Sequence, residues 1–108
     1  VKFTATTVRV PVFHGHSESI NVELKTTFDI KDIFQLFNNF KGITVMDDIN
    51  TNTYPMPLDI AGRDDVYIGR IRRDFSLDNR LNLWVVADNI RKGAALNAVQ
   101  IAEELIKL

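Results

Sequence analysis

The sequence predicts a single α+β domain, in which a mixed or antiparallel sheet carries helices on one of its faces. Five segments have the alternating or continuously apolar character of strands, and two segments have apolar residues at helical spacing. These segments follow the order β-β-α-β-β-β-α, without the regular strand–helix alternation of parallel α/β folds. A length of 108 residues allows at most one domain of this kind.

The first two predicted strands meet at a polar corner. Residues 1–12 are rich in Thr and Val and predict an extended strand, and residues 17–25 predict a second one. Gly15 lies between them and permits the positive φ angle that a chain reversal needs. Arginine suits a carboxylate or phosphate, and histidine can move protons near neutral pH. The corner is therefore a candidate site, with ordinary solvated side chains as the alternative; it holds Arg9, His14, His16 and Glu18.

A helix is predicted to follow the second strand. Asp29 can cap its start, and an apolar face forms because Ile30, Ile33, Phe34 and Phe37 recur at helical spacing. A short strand at 43–47 comes next. The polar stretch 48–65 predicts a loop longer than most connections, and such loops are often functional or pack on a partner.

Two more strands follow the long loop. Residues 66–73 alternate, which predicts that Ile68 and Arg70 share one face and Ile71 lies on the other. Residues 81–87 are apolar on both faces, which indicates a strand inside a covered sheet, with Trp84 packed in the core.

The chain ends in a predicted helix, for which Asp88 or Asn89 can serve as the cap. Its broad apolar face, which includes Ala98, Ile101 and Leu105, needs more cover than a small domain normally provides.

Composition excludes several classes of function. A net charge of −1 argues against binding to a nucleic-acid backbone, which normally needs a basic excess. No apolar run is long enough to span a bilayer, so no membrane association is expected. The absence of cysteine rules out disulfides, thiolate metal sites and a cysteine nucleophile within this chain, and we predict no metal site.

Five sequence blocks, taken in order, resemble the C-terminal part of aspartate-semialdehyde dehydrogenase. They cover nearly the whole chain: RVPVFHGHSE at 9–18, YPMPLDIAGRD at 54–64, VYIGRIRRD at 66–74, LNLWVVADN at 81–89 and KGAALNAVQIA at 92–102. The resemblance implies part of the dimerisation and catalytic domain, with the C-terminal fold of glyceraldehyde-3-phosphate dehydrogenase-like enzymes. It assigns all of 1–108 to that domain and lets the terminal helix, about 88–108, pack on an NADP-binding domain that is absent from this chain.

The resemblance also implies a chemistry and site residues. The family interconverts aspartyl phosphate and aspartate semialdehyde with NADP(H), in the cytoplasm, for the biosynthesis of lysine, threonine, methionine and diaminopimelate. His16 matches the general acid/base, Arg9 matches the arginine that binds the substrate carboxylate, and Asn89 matches a residue near the nicotinamide. His14 has no catalytic counterpart and is expected to be exposed.

The same resemblance limits what the chain can do by itself. The nucleophilic cysteine and the glycine-rich cofactor loop lie upstream in the family, and the chain starts at Val1 rather than Met. We therefore predict a fragment of a longer protein, inactive alone and without bound NADP, that forms a homodimer or a higher homo-oligomer. Two alternatives stay open: a non-catalytic paralogue that serves as an assembly domain, and a related acyl-phosphate reductase such as the acetylglutamyl phosphate enzyme.

Overall fold

The computed structural model describes residues 1–108 and contains one four-stranded sheet. The strands are β1 (His16–Glu23), β2 (Ile43–Val45), β3 (Val66–Arg73) and β4 (Arg80–Ala87). Their spatial order is β1-β4-β3-β2, in which β2 runs parallel to β3 and the other two pairs are antiparallel. The mixed sheet confirms the predicted α+β class.

The helices are α1 (Ile30–Asn39), α2 (Pro57–Ile60) and α3 (Leu96–Ile106), with a π-helical turn over Arg91–Ala95 directly before α3. The Asp29 side chain caps α1 by accepting a hydrogen bond from the Lys31 N–H at 2.9 Å, as the sequence predicted. The sequence did not predict helix α2, which lies inside the predicted loop 48–65. Proline fits its first turn, where a backbone N–H would have no partner within the helix.

Helix α1 covers one face of the sheet. The buried residues on that face are Ile68, Ile71 and Leu81. The apolar side chains of α1 and its approach pack against them, namely Phe28, Ile30, Ile33, Phe34 and Phe37. The apolar stripe that predicted the helix is therefore also the stripe that seals this half of the core.

The opposite face is covered by the short helix α2. Ile60 and Val86 are fully buried there and cluster with Tyr67, while Met46 and Trp84 pack beside them. The Trp84 indole N–H donates to the Pro55 carbonyl at 2.9 Å, so the polar end of this core side chain is satisfied. Core packing of Trp84 is confirmed, but the sheet has helical cover on both faces rather than one.

A β-bulge in β3 moves one residue to an unexpected face. The register with β4 shifts between Gly69 and Arg72, and Arg70 takes a φ of +54°. Ile71 therefore packs beside Ile68, and the prediction that they lie on opposite faces was wrong. The Asp47 carboxylate accepts a hydrogen bond from the Ile71 N–H at 2.8 Å, which supplies a partner for the donor at the bulge.

The prediction of a strand over residues 1–12 was also wrong. The only backbone hydrogen bond of this segment joins the Val12 N–H to the Val10 carbonyl at 2.9 Å. Every residue in it is exposed. A strand needs a hydrogen-bonded neighbour, and none of the four strands of the sheet pairs with this segment.

Helix α3 continues the chain beyond the sheet without burying any residue. Its apolar side chains stay open to solvent, with Val99 and Leu105 53% and 63% exposed. The broad apolar face predicted for the last helix is therefore present and uncovered. Neither α3 nor any other helix has the length and apolar character that crossing a membrane would require.

We expect Ile60→Ala to destabilise the fold by about 2–5 kcal/mol, because it leaves a cavity in the cluster between α2 and the sheet. Leu58→Ala is the matched control, since Leu58 lies on the same short helix and is 86% exposed. Its effect should stay within about 0.5 kcal/mol. Denaturant unfolding of the two variants measures both values, and similar losses would show that α2 does not form part of the core.

Candidate functional site

The predicted site lies where β1 begins and β4 ends. His16 is the first residue of β1 and pairs with Ala87, the last residue of β4. Because β4 ends there, Asp88 and Asn89 follow directly beside the turn that contains His14 and Gly15. The sheet register therefore brings two sequence blocks together that lie about seventy residues apart in the chain.

Asn89 and Pro57 hold the turn at Gly15 from two sides. The Gly15 N–H donates to the Asn89 side-chain oxygen at 2.9 Å. Gly15 has a φ of +96°, and a Cβ added to it would lie 2.9 Å from the Pro57 Cβ. Both the left-handed backbone and the close approach of Pro57 require glycine at this position.

His16 is paired with Glu18 and open to solvent. Its Nε2 lies 2.9 Å from Glu18 Oε1, and the two side chains are 64% and 52% exposed. A hydrogen bond this exposed contributes at most about 1 kcal/mol, so its effect is to orient the ring rather than to stabilise the fold. The other ring nitrogen makes no hydrogen bond within the chain.

Asp88 is the buried acid beside the corner, with a relative exposure of 5%. Its Oδ2 accepts from the Gly62 N–H at 2.8 Å, and its Oδ1 accepts from the N–H groups of Ile90 and Arg91 at 2.8 and 2.9 Å. The bonds from Gly62, Arg91 and Ile90, in that order, hold the pKa of Asp88 below its usual range, and the nearby charge of His14 acts in the same direction. Asp88 thus satisfies the first N–H groups before the π-helical turn Arg91–Ala95, whereas the α-helix predicted over about 88–108 begins only at Leu96.

A second link joins the same two regions at the surface. The Arg91 guanidinium Nε lies 2.5 Å from Asp64 Oδ1, and both side chains are about half exposed. This hydrogen bond lowers the pKa of Asp64 and raises that of Arg91. The stretch after α2 is therefore tied to the start of the terminal helix at two points, one buried and one exposed.

Arg9 is the predicted site residue that the structure leaves outside the corner. It lies in the exposed segment 1–12 and makes no hydrogen bond or ion pair within the chain. His14 is exposed, as expected. No group of three His, Cys, Asp or Glu side chains converges as metal ligands would.

Sequence reasoning missed the parts of the site that depend on distant contacts. It named Asp88 only as a helix cap, and it gave no role to Pro57 or Gly62. The acid before the terminal helix was visible in the sequence, but its bond to Gly62 joins residues 26 positions apart. No local pattern signals that bond.

The class of protein to which this fold belongs follows from a comparison with known families. The family described as semialdehyde dehydrogenase, dimerisation domain, matches residues 1–92, and the chain belongs to this family. Dimerisation domains of this kind support the assembly of identical subunits.

Individual relatives carry a more specific enzyme name than the family does. The chain is 51% identical over 107 residues to the aspartate-semialdehyde dehydrogenase of Aquifex aeolicus and 54% identical over 101 residues to that of Legionella pneumophila. These matches cover 99% and 93% of this chain but 32% and 29% of the relatives. The chain thus spans about a third of their length.

Solved structures similar to this chain carry the same enzyme name. The aspartate semialdehyde dehydrogenase II of Vibrio cholerae, solved in complex with ASA, superposes with a TM-score of 0.83 at 43% identity. A probable aspartate-semialdehyde dehydrogenase from Pseudomonas aeruginosa gives 0.79 at 39% identity. The two cover 91% and 90% of this chain, and 29% and 28% of the neighbours. Most of this chain therefore has the fold of the corresponding part of these neighbours.

We expect Gly15→Ala to destabilise the chain more than Gly42→Ala does. Both glycines have positive φ, +96° and +84°, so each alanine carries a backbone cost of about 1–2 kcal/mol. Only at Gly15 would the new Cβ meet another residue, since nothing lies within 4 Å of the corresponding position at Gly42.

Denaturant unfolding compares the two glycine variants, and the NMR signals of the Asn89 side-chain amide report on the corner. Those signals should shift in the Gly15 variant alone. Equal destabilisation with unchanged Asn89 signals would contradict the close packing of Pro57.

Proposed function

We propose that this chain forms the C-terminal part of an aspartate-semialdehyde dehydrogenase, which interconverts aspartyl phosphate and aspartate semialdehyde with NADP(H). The observation that carries the proposal is the corner itself, where Gly15, the residue before the proposed acid/base His16, donates a hydrogen bond to Asn89 across the end of the sheet. Relatives of this name, about half identical over nearly the whole chain, support it. The corresponding pathway is the cytoplasmic biosynthesis of lysine, threonine, methionine and diaminopimelate.

His16 is the proposed general acid/base. It takes the proton from a cysteine thiol that residues outside this chain supply, and it returns a proton to the substrate oxygen when the thiol adduct forms. Glu18 holds Nε2 at 2.9 Å, which leaves Nδ1 as the nitrogen without a partner in the chain. Because the ring is 64% exposed, a substrate can approach it without any rearrangement of the sheet.

Arg9 is the proposed group for the substrate carboxylate. A guanidinium can bind a carboxylate through two parallel hydrogen bonds, which fixes the orientation of the aldehyde as well as its position. Arg9 makes no internal ion pair, so it is available for this role. For that contact segment 1–12 must pack against the rest of the enzyme, and its exposed Val8, Val10 and Val12 provide an apolar surface for such packing.

Asn89 is the proposed contact with the cofactor, which supplies or accepts the hydride when bound. Its side-chain oxygen already accepts from Gly15, so the amide NH₂ is the part left to donate to the nicotinamide carboxamide. The chain fits the cofactor at this end only, because it contains no glycine-rich turn of the kind that binds dinucleotide phosphates.

The proposed assembly is a homodimer or a higher homo-oligomer. The family description, the open edge of β1 and the many exposed apolar side chains support it. We propose further that residues 1–108 form one domain whose terminal stretch, about 88–108, packs on the NADP-binding domain. The uncovered apolar face of α3, which lies beyond the residues matched by the family, supports this second contact.

In the protein encoded by the complete gene, we expect His16→Asn to lower kcat by about 10²–10⁴-fold, because the proton transfer loses its acid/base. His14→Asn is the matched control, one residue before the glycine turn, and should leave kcat unchanged. NADP reduction with aspartate semialdehyde and phosphate is the assay. The chain 1–108 alone should show no activity in it, and turnover by this chain at enzymic rates would overturn the proposal.

We expect Arg9→Lys in the same protein to raise the KM for aspartate semialdehyde about tenfold or more. Lysine keeps the charge but loses the bidentate geometry, and a charge-assisted hydrogen bond contributes about 1.5–3 kcal/mol. Steady-state kinetics measures the change. A wild-type protein that assembles normally but has no activity would favour the non-catalytic assembly domain instead.

A further inference from the structure

We infer that Asp88 is the positioning residue of the His16 corner: its buried carboxylate joins the two segments that clamp Gly15, the residue before the histidine. The catalytic consequence rests on the proposed function, whereas the structural part concerns this chain alone. Asp88 is 5% exposed and is oriented by backbone donors, so it touches no reacting group itself.

The Asp88 carboxylate bridges two segments of the chain. Its Oδ2 is bonded to Gly62, just after α2, at 2.8 Å. Its Oδ1 is bonded to Ile90 and Arg91, at the start of the terminal helix, at 2.8 and 2.9 Å. Both oxygens face N–H donors, so an amide side chain would have to direct its own NH₂ toward one of these groups.

The same two segments hold the turn. Asn89 follows Asp88 directly and accepts the Gly15 N–H at 2.9 Å. Pro57, the first residue of the α2 segment that leads to Gly62, lies on the other side of Gly15, where no Cβ fits. Opening the Asp88 bridge removes the buried tie between the segments that carry Asn89 and Pro57, which loosens the clamp on the turn.

The turn is in turn connected to the proposed chemistry. Gly15 directly precedes His16, which is the first residue of the edge strand β1. The ring is largely solvent-exposed, and Glu18 on the same strand is its only hydrogen-bond partner within the chain. Because no packed core surrounds the ring, its position depends on the turn at Gly15 together with the pairing of His16 with Ala87 and the bond to Glu18.

The surface ion pair provides a natural control. Asp64 and Arg91 join the same two segments, but through side chains that are about half exposed. Asp64→Asn therefore removes the charge from this link, and so weakens it, without disturbing the buried bridge. If any tie between the two segments were enough, this variant would loosen the corner as much as a change at Asp88.

The discriminating variant is Asp88→Ser. Serine is a good helix cap, so it can keep the bonds to the N–H groups that follow, but its side chain is too short to reach Gly62 as well. Asp88→Asn is the second variant, which keeps the length and loses one acceptor oxygen. Together they separate loss of the bridge from loss of the helix start.

The first measurement is amide hydrogen exchange by NMR in the 108-residue chain. We expect Gly15 and Gly62 to exchange at least about tenfold faster in Asp88→Ser and Asp88→Asn, and at nearly the wild-type rate in Asp64→Asn. Met46, whose N–H is bonded to the Ile68 carbonyl, should keep its protection and so show that the sheet is intact. An unchanged Gly15 rate in Asp88→Ser, or an equal effect of Asp64→Asn, overturns the inference.

The second measurement uses the protein encoded by the complete gene. There Asp88→Ser should lower kcat by about tenfold to a hundredfold, as misplacement of a reacting group does, while the KM for aspartate semialdehyde changes less than about twofold. A normal kcat with a loosened Gly15 overturns the catalytic part of the inference. If the wild-type protein has no activity, the proposed function fails, and the exchange result still decides whether Asp88 positions the corner.

Discussion

Strand β4 is the element on which the position of every other part depends, because it alone pairs along both edges with long antiparallel neighbours. Its side chains alternate between the two packed faces, with Leu81 in the cluster under α1 and Val86 in the cluster under α2. A strand fixed on four sides cannot slip by one residue without exchanging its two sets of apolar side chains. The point where it ends is therefore fixed as well.

The end of β4 determines the geometry of the corner. Ala87 pairs with His16, and the chain then turns away from the sheet at Asp88. The buried carboxylate accepts the first free N–H groups of the helical segment, which is how a helix start is normally satisfied. Asn89 is thereby directed toward the turn before β1. The corner is thus a consequence of sheet register and of one helix cap, without any separate scaffold.

The elements that sequence predicted correctly have patterns complete within themselves. Helix α1 combines a cap at Asp29 with an apolar stripe, and β4 has the continuous apolar character of a doubly covered strand. The bulge in β3 was not predicted because the Asp47 carboxylate, which satisfies its Ile71 N–H, lies 24 positions away in the sequence. Residues 1–12 have the composition of a strand, but composition cannot provide the neighbouring ladder that a strand requires.

In the candidate site, too, local sequence patterns were predictable and contacts between distant residues were not. His16 and Asn89 were identified because each lies in a sequence block that resembles a known family, and the structure brings both to one corner. Pro57 and Gly62 also lie in such a block, but the resemblance assigned them no role, because their contribution is a contact across space.

The His16 ring is more exposed to solvent than the proposed chemistry requires. Proton transfer and hydride transfer both profit from a site closed to water, yet this ring is 64% exposed. The proposed chemistry therefore needs protein cover over the His16 ring, and the sheet with its packed helices does not provide it. The exposed apolar side chains of the first segment adjoin the corner in sequence, with Val12 and Phe13 46% and 99% exposed just before His14. Because Arg9 lies in this segment, the proposed carboxylate contact and the cover over His16 both depend on how the segment packs in the longer protein.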